Sequence, residues 1–287
     1  MKNGLNTKVT CSVVGARGYA GLETARLLLR HPNAELTHCF ATSAFDLTTL
    51  LGSDKASKVE CLSDKEITNH LTDVVFLATP AEVSLELAPK IVKLGKTVID
   101  LSGAFRLKKN DYLKWYGFEH TNAQALNFAQ YGLAPWVGPA TGAKLVANPG
   151  CYATAIALAL IPVLKAGLID ETSIVIDAKS GTTGAGKKAA ENLLYTEVDG
   201  ECLPYKIGKH QHYPEIQEAI EQFSGRTIDA HMTTSLLPVR RGIIAGIYGK
   251  LEAGKTLKDV EAAFEDSYAD YPLVNFGAAS EKPGLLS

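Results

Sequence analysis

The sequence predicts two domains: a Rossmann-type α/β domain with a parallel sheet, followed by an α+β domain with a mostly antiparallel sheet. The first half alternates short apolar strands with helices, which is typical of βαβ units, and a glycine-rich turn directly follows its first strand. The second half holds two long alternating segments of the kind that pair as antiparallel strands. We therefore expect one domain at 1–150 and another at 151–287.

Composition is that of an ordinary globular protein. The chain has 287 residues, 46% of them hydrophobic and 21% charged. Its net charge of −2 excludes a broad basic surface, so we expect no nucleic-acid partner. No apolar run reaches the roughly 20 residues that span a bilayer. The short polar segment 1–7 lacks the apolar core of a secretion signal, so we expect no membrane partner.

The five cysteines are scattered and show no CxxC spacing. An odd number without a pairing pattern is typical of reduced thiols. We therefore expect a cytoplasmic protein without a disulfide framework and without a metal site.

The glycine-rich turn predicts a dinucleotide site. It lies between a predicted strand, 9–14, and a predicted helix, 22–30. Glycines let the backbone approach a pyrophosphate, and the helix N-terminus supplies N–H donors. The alternative is a tight turn without an anion. The candidate cofactor residues in this turn are Gly15, Arg17, Gly18, Tyr19 and Gly21.

The end of the second predicted strand, 34–41, favours NADP over NAD. An NAD site usually places an acid there for the ribose 2′-hydroxyl. Here Thr42 and Ser43 follow the strand, and the first acid is Asp46. Hydroxyls together with Arg17 suit a 2′-phosphate better, although ordinary loop chemistry explains the two hydroxyls equally.

Further predicted strands, 73–78 and 97–101, end at the same edge of the sheet, where ligands bind. Ala78 and Pro80 are therefore candidate cofactor residues. Arg106 follows the second of these strands and is a candidate clamp for a carboxylate or phosphate, with a surface arginine as the alternative. Residues 111–131 show no clear period and are predicted to be irregular.

A strand at 144–147, a turn at Asn148-Pro149-Gly150 and an Ala/Leu-rich helix from Cys151 form the stretch where we expect the chemistry. Unpaired N–H groups in the first turn of a helix favour an anion, so the pKa of a thiol at this position is expected to fall. Cys151 is therefore the candidate nucleophile. The alternative is a small buried cysteine that only fills space.

A strand at 172–177 is predicted to lead into a glycine- and hydroxyl-rich loop, 180–188, that closes over the cofactor or substrate. Ser180 and Gly181 are its candidate cofactor residues. The loop is not a phosphate-binding Walker A sequence, because Lys187 is followed by another lysine rather than by Ser or Thr.

Titratable side chains are concentrated at 209–215, just before a helix predicted to start at Pro214. One of His210 and His212 is the candidate acid/base for the thiol, with Glu215 to orient or tune it, and we favour His210. The alternative is a pair of solvated loop histidines. No third ligand pattern accompanies the two, so a metal is not expected.

The alternating segments 228–237 and 243–252 are predicted to pair as a hairpin. The turn between them carries Arg240 and Arg241, which indicates either an anion site or a solvated cationic turn. A capping-box pattern at Thr256 predicts a helix ending near residue 268.

Taken together, these segments resemble the N-acetyl-gamma-glutamyl-phosphate reductase family, which is similar in architecture to aspartate-semialdehyde dehydrogenase. The resemblance implies an NADP-binding Rossmann domain at 1–150, a catalytic and dimerisation domain at 151–287, and a homo-oligomer, either a dimer or a tetramer. The matching segments are GARGYAG, DVVFLATP, VIDLSGAFRL, YGLAPW, NPGCYATA, SGTTGAGKKAA, GKHQHYPEI and LLPVRRGI.

The resemblance also implies a reaction: NADPH-dependent reduction of an acyl phosphate to a semialdehyde through a thioester on Cys151, in arginine biosynthesis. Arg106, Arg240 and Asn148 are the candidate substrate-binding residues. Two alternatives stay open. One is a lysine-pathway reductase that acts on a carrier-bound aminoadipyl phosphate, and the other is a non-catalytic NADP sensor.

In one respect the sequence departs from the family. Family members continue past the equivalent of residues 283–287 with a strand and a helix that pack back on the Rossmann domain. We expect the sequence as given to lack this segment, to leave apolar surface uncovered and to have impaired activity.

Overall fold

The computed structural model describes residues 8–138 and 142–277, so segments 1–7 and 283–287, discussed above, lie outside the described residues. The described chain divides into two compact units. The first contains 8–132 and 142–148, and the second contains 133–138 and 149–277.

The first unit is built on a seven-stranded sheet with the order β3-β2-β1-β4-β5-β7-β6. Every pairing in this sheet is parallel. The predicted parallel sheet is therefore confirmed. The strands are β1 (Val9–Val14), β2 (Ala34–Ala41), β3 (Glu60–Ser63), β4 (Val74–Leu77), β5 (Thr97–Asp100), β6 (Ala129–Tyr131) and β7 (Leu145–Ala147).

Both faces of this sheet are covered, as a parallel sheet requires. Successive residues of β4 point to opposite faces, so Val75 and Leu77 enter one apolar cluster while Val74 and Phe76 pack against the other. The helices of this unit are α1 (Tyr19–Leu28), α2 (Leu47–Leu51), α3 (Ala81–Lys93), α4 (Tyr112–Tyr116) and α5 (Ala123–Phe128).

The prediction that 111–131 is irregular was wrong. The segment holds α4, α5 and the edge strand β6. Its helices have only five and six residues, too short to show a helical period in the sequence. Tyr112 is fully buried, and its hydroxyl accepts a hydrogen bond from the Leu107 N–H at 3.1 Å, so packing rather than periodicity defines the segment.

The second unit contains a four-stranded mixed sheet with the order β11-β8-β10-β9. Strand β8 pairs antiparallel with β11 and parallel with β10, and β10 pairs antiparallel with β9. The strands are β8 (Val175–Gly181), β9 (Leu203–Pro204), β10 (His231–Leu237) and β11 (Ile243–Tyr248).

The predicted hairpin between the last two strands was wrong, because β8 lies between β10 and β11. Alternation correctly showed that both are strands, but it carries no information about which strand is the neighbour. Strand β8 also begins and ends later than the predicted 172–177, so Ser180 and Gly181 end a strand rather than begin a loop.

A central apolar helix organises the second unit. Helix α6 (Cys151–Lys165) buries most of its residues, which explains why it is apolar on nearly every side. Within residues 8–138 and 142–277, no helix has both the length and the apolar character that crossing a bilayer requires. The other helices of this unit are α7 (Tyr195–Val198), α8 (His212–Ser224) and α9 (Leu257–Tyr268).

Candidate active site

The glycine turn of the first unit is shaped by close backbone contacts. Gly15 has φ of 81°, and a Cβ there would lie 2.3 Å from the Ala78 carbonyl oxygen. A Cβ on Gly21 would lie 2.3 Å from the Gly15 carbonyl oxygen. Both positions therefore require glycine. The missing side chains let the end of β4 and the start of α1 lie close to the turn.

A pocket of about 700 Å³ opens at this turn and brings together Gly15, Arg17, Gly18, Thr42, Ala78 and Pro80 from the predicted cofactor set. Gly18 is the N-cap of α1 and provides no side-chain cap, and the first turn of α1 holds no acid, so its N–H groups suit a phosphate. The residues therefore fit a dinucleotide. Thr79, between Ala78 and Pro80 at the predicted strand end, also lines the pocket. Lining residues that the sequence did not indicate include Asp64, Ile67, Glu82, Val83 and Leu87.

Arg17 and Ser43 meet beside this pocket. The guanidinium of Arg17 donates to the Ser43 hydroxyl, and both side chains are exposed. The cation and the hydroxyl that the sequence assigned to a 2′-phosphate therefore lie together. Tyr19 is the first residue of α1 and Gly21 is buried within it, and neither lines the pocket.

Arg106 lies near the end of β5 and is held by backbone carbonyls. Its Nε donates to the Asn148 carbonyl at 2.8 Å and its Nη2 to the Leu101 carbonyl at 2.8 Å. The Asn148 N–H in turn donates to the Asp100 carbonyl at 2.8 Å. Burial raises the pKa of Asp100, while hydrogen bonds from serines and the charge of Arg106 oppose that rise. This arginine therefore fixes the turn that precedes Cys151.

In the second unit, Cys151 is the first residue of α6 and is exposed. Gly150 is the N-cap and provides no side-chain cap. The space-filling alternative for Cys151 required a buried sulfur, and an exposed residue argues against it. The thiol lies at a helix N-terminus, where the first N–H groups have no acceptor within the helix and favour an anion, as expected for an activated nucleophile.

Helix α8 brings its first residues against this N-cap. The Glu215 carboxylate accepts a hydrogen bond from the Gly150 N–H at 2.7 Å, and Glu215 is buried. A Cβ on Gly150 would lie 2.5 Å from His212 Nε2, so only glycine leaves room for the imidazole at this position. The candidates Cys151, His212 and Glu215 are thus brought together at one helix start.

The predicted start of α8 at Pro214 was two residues late, because the helix begins at His212. The proline is still tolerated, since the first N–H groups of a helix have no intrahelical acceptor. His212 therefore belongs to the helix, whereas His210 precedes it.

His210 is buried against two aromatic rings. Its ring centroid lies 5.1 Å from that of Tyr152 and 5.7 Å from that of Tyr205, both edge-on. Burial, with a smaller effect from the positive charge of Lys206, lowers the pKa of His210 to about 4. His210 Nδ1 accepts the His212 N–H at 3.1 Å, so the neutral ring carries its proton on Nε2. It is therefore a neutral donor at pH 7.

A pocket of about 410 Å³ contains Cys151, His210, His212 and Ser180. Ser180 was predicted to bind the cofactor, and the structure places it in the same pocket as the nucleophile. Tyr205 also lines this pocket, and the sequence gave no signal for it except that it precedes the histidine segment. Other lining residues are Tyr152, Gly184, Ala185, Asn192, Leu193, Lys206, Gln211 and Leu236.

Gly181 and Arg240 lie where the end of β8 approaches the turn before β11. A Cβ on Gly181 would lie 2.7 Å from the Arg241 nitrogen, so glycine is needed there. The Arg240 carbonyl accepts from the Thr183 N–H at 3.1 Å, and the Arg240 side chain is exposed. Arg240 does not line the Cys151 pocket.

A parallel-sheet unit with a glycine turn, joined in one chain to a unit with a thiol at a helix start, defines a class: oxidoreductases of the semialdehyde dehydrogenase type. Two family profiles match. Residues 10–144 match "Semialdehyde dehydrogenase, NAD binding domain", and residues 151–286 match "Semialdehyde dehydrogenase, dimerisation domain".

Similar curated proteins identify the family within this class of oxidoreductases. An N-acetyl-gamma-glutamyl-phosphate reductase of Brevibacillus brevis is 39% identical over 96% of this chain and 81% of its own. One from Streptococcus sanguinis is 40% identical over 93% of this chain and 80% of its own. The chain belongs to the N-acetyl-gamma-glutamyl-phosphate reductase family.

Solved structures show the same fold at low identity. Aspartate semialdehyde dehydrogenase II from Vibrio cholerae aligns with a TM-score of 0.67 at 16% identity, over 91% of this chain and 80% of its own. A Candida albicans aspartate semialdehyde dehydrogenase, solved with NADP, aligns with a TM-score of 0.65 at 16% identity, over 90% of this chain and 76% of its own. The predicted architecture is therefore confirmed.

Proposed function

We propose that this protein catalyses the NADPH-dependent reduction of N-acetyl-gamma-glutamyl phosphate to N-acetylglutamate 5-semialdehyde, with release of phosphate, in arginine biosynthesis. Family membership supports the substrate. The observation that carries the mechanism is the exposed Cys151 at the start of α6, in one pocket with His210 and His212.

In the first step, the Cys151 sulfur attacks the γ-acyl carbon of the substrate and the C–O bond to phosphate breaks. The proton of the thiol ends on the departing phosphate, so the products are a thioester and hydrogen phosphate. The N–H groups at the start of α6 stabilise both the thiolate and the oxyanion that forms on the acyl oxygen.

In the second step, the thioester is reduced to a thiohemiacetal, which expels the Cys151 thiolate and leaves the aldehyde. NADPH, when bound, supplies the hydride. The thiohemiacetal forms as an anion, and its oxygen accepts a hydrogen bond from Nε2–H of the neutral His210, which keeps its proton. The anion then collapses to the aldehyde and the Cys151 thiolate, so no proton has to be supplied. Glu215 holds the Gly150 N–H and so positions the helix start, and His212 packs against the same glycine.

The first unit provides the residues for NADP. We assign the pyrophosphate to the turn at Gly15 and Gly18, with Tyr19 and Gly21 shaping the start of α1. Arg17, together with Thr42 and Ser43, is assigned to the 2′-phosphate. The contact between Arg17 and Ser43 supports this choice, because a cation and a hydroxyl already share the site.

Substrate anions remain assigned to Arg106, Arg240 and Asn148. The exposed guanidinium of Arg240 supports its role, whereas the carbonyl contacts of Arg106 support positioning of the turn at Asn148 as well. We further propose a cytoplasmic homo-oligomer with an NADP-binding domain at 1–150 and a catalytic, dimerising domain at 151–287. Five free thiols and the matched dimerisation profile support these assignments.

The direct test is the reverse reaction: phosphate-dependent reduction of NADP with N-acetylglutamate semialdehyde as substrate. We expect turnover with this aldehyde and none with the carrier-bound aminoadipyl semialdehyde of the lysine-pathway alternative. Turnover with the carrier-bound substrate alone would reverse this assignment of substrate.

A second test separates the enzyme from a non-catalytic NADP sensor. Cys151 and Cys202 are both exposed, so Cys202 is a matched control for alkylation. We expect an alkylating agent to abolish turnover in the wild type and in Cys202→Ser at the same rate. Cys151→Ser should bind NADPH normally and lose nearly all turnover. Full turnover in Cys151→Ser would exclude the covalent mechanism.

A further inference from the structure

A group of metal-ligating side chains lies in the first unit. His38, Glu60 and His70 each place one donor atom within 4.8 Å of the other two. In the part of the chain that the structure describes, no other three His, Cys, Asp or Glu side chains are arranged in this way. We propose that these residues bind a transition metal ion of the zinc class, with water completing its coordination.

Strand register brings the three residues together. β2 and β3 run parallel at the edge of the sheet, and His38 is the direct partner of Glu60. His70 follows the 3₁₀ turn Asp64–Asn69, which begins immediately after β3. The ligands therefore come from two neighbouring strands and from the end of the next segment, although they lie 22 and 10 positions apart in the sequence.

The spacing of the first two donors is that of a coordinated pair. His38 Nε2 and Glu60 Oε2 are 3.3 Å apart. Two ligands at about 2.0–2.1 Å from a tetrahedral zinc ion lie about 3.3–3.4 Å from each other. The three donor atoms lie within 4.8 Å of one another, so the His70 donor has to move by at most about 1.5 Å to complete a tetrahedral set.

A β-bulge prepares His38 for this role. Cys11 pairs with Leu36 and Ser12 pairs with His38, so Thr37 is an extra residue in β2. The Thr37 hydroxyl donates to the Cys11 carbonyl at 3.4 Å and lies 2.8 Å from His38 Nδ1. In the tautomer that donates from Nδ1–H to this hydroxyl, the proton of His38 is on Nδ1. That tautomer leaves a lone pair on His38 Nε2, which lies 3.3 Å from Glu60 Oε2, and it is the tautomer that we propose for the metal-bound form.

The donor set also selects the class of ion. Two imidazole nitrogens and one carboxylate oxygen are common zinc ligands and suit cobalt and nickel, whereas magnesium and calcium prefer oxygen ligands only. The competing interpretation is a simple ion pair between His38 and Glu60, in which His70 has no part.

Bound metal would connect the sheet edge to the nucleotide pocket. The 3₁₀ turn Asp64–Asn69 leads from β3 to His70, and two of its residues, Asp64 and Ile67, line the pocket at the glycine turn. We therefore expect the ion to fix this turn and to raise the melting temperature of the protein until one equivalent is bound.

The test is a titration of the chelator-treated full chain with Co²⁺, followed by visible absorption and by the melting temperature. We expect one equivalent to bind with the intense bands of four-coordinate cobalt. His38→Gln, Glu60→Gln and His70→Gln should each weaken binding by at least about 10-fold. His31→Gln, a change at an exposed histidine of the same unit, should bind cobalt as the wild type does.

Three outcomes would overturn the proposal. The first is no cobalt uptake at a large molar excess of metal. The second is unchanged cobalt uptake in both Glu60→Gln and His70→Gln, which would leave only an ion pair between His38 and Glu60. The Glu60 side chain is 56% exposed, so the Glu60→Gln variant is expected to fold. The third is a sulfur-to-cobalt charge-transfer band that disappears in Cys151→Ser, which would place the ion at the thiol.

Discussion

The backbone N–H of Gly150 donates to the Glu215 carboxylate at 2.7 Å, and Glu215 is only 1% exposed. The residue just before the candidate nucleophile is thus held by a buried carboxyl group from another helix. Because Gly150 is the N-cap of α6, this bond fixes the point from which the helix, and with it Cys151, begins. Glu215 is therefore a positioning residue.

Removal of this carboxylate is expected to lower both stability and turnover. In Glu215→Ala the Gly150 N–H loses its buried acceptor, which costs about 1–3 kcal/mol of unfolding free energy. Glu215→Gln keeps an amide oxygen that can accept the same bond, so it should retain more of the unfolding free energy and of kcat. Urea unfolding and steady-state kinetics measure the two effects.

Glu221→Gln provides the matched control, because Glu221 is an exposed acid on the same helix α8. Its unfolding free energy and kcat should match those of the wild type. If Glu215→Ala had wild-type kcat as well, the bond to Gly150 would have no part in positioning the thiol.

The stability of the fold is expected to fall as the pH is lowered from about 6.5 to about 4, in part through His210. The pKa of this residue is lowered to about 4, chiefly by burial, whereas that of an exposed histidine is about 6.5. Between these values the unfolded chain binds a proton that the folded chain does not, so unfolding free energy rises with pH. Complete titration of this one group corresponds to about 3 kcal/mol.

His210→Gln should therefore lose less unfolding free energy between pH 7 and pH 4.5 than the wild type does. His31→Gln is the control for the removal of a histidine, because His31 is exposed. Equal pH dependence in all three proteins, measured by urea unfolding, would contradict a buried neutral imidazole at position 210.

Arg17 is expected to determine the preference for NADPH over NADH. Its guanidinium bonds the Ser43 hydroxyl beside the nucleotide pocket, where a 2′-phosphate would accept from both. Loss of one charge-assisted hydrogen bond corresponds to a loss of about 10- to 100-fold in affinity. Arg17→Ala should raise the Kd for NADPH by that factor and leave the Kd for NADH unchanged.

Arg30→Ala is the charge-matched control for this measurement, since Arg30 is an exposed residue just beyond α1. Its Kd for both nucleotides should be that of the wild type. An equal loss of NADPH and NADH affinity in Arg17→Ala would show that Arg17 contacts the pyrophosphate rather than the 2′-phosphate.

Local patterns predicted the parts of the fold that local forces determine. The bounds of β1 and β2 are those expected from the sequence. A glycine turn directly follows β1, and a proline lies two residues before β2. The capping box at Thr256 formed as expected. The pairing of β10 with β8 was missed, because alternation identifies a strand and its faces but not the strand beside it.

The candidate site likewise contains residues that local sequence patterns indicate and residues that only the folded chain brings together. Cys151, His210 and His212 could be proposed from the sequence, because each lies in a short segment with a helix-start pattern. The structure places all three in one pocket. Tyr205 was not found, because only the folded chain places its ring against His210. The grouping of His38, Glu60 and His70 was missed for the same reason. Strand register and the turn after β3, rather than sequence spacing, bring these three side chains together.

Gly150 offers the sharpest test of the catalytic geometry. Its backbone angles, φ −65° and ψ 155°, suit any residue, so strain does not require a glycine here. A Cβ would nevertheless lie 2.5 Å from His212 Nε2 and force the buried ring to move. Since a misplacement of about 1 Å at the start of α6 can cost up to about 100-fold in rate, Gly150→Ala should lower kcat by at least about 10-fold while leaving the Kd for NADPH unchanged.

Gly184→Ala tests whether any added methyl group in the same pocket has this effect. Gly184 also lines the pocket of Cys151, but a Cβ there would meet only the Ser180 hydroxyl, at 3.9 Å. Its kcat should therefore stay near that of the wild type. Melting temperatures of both variants separate loss of fold from loss of geometry, because an alanine N-cap in α6 also costs up to about 1 kcal/mol. A folded Gly150→Ala protein with wild-type kcat would mean that catalysis does not depend on where the His212 ring lies.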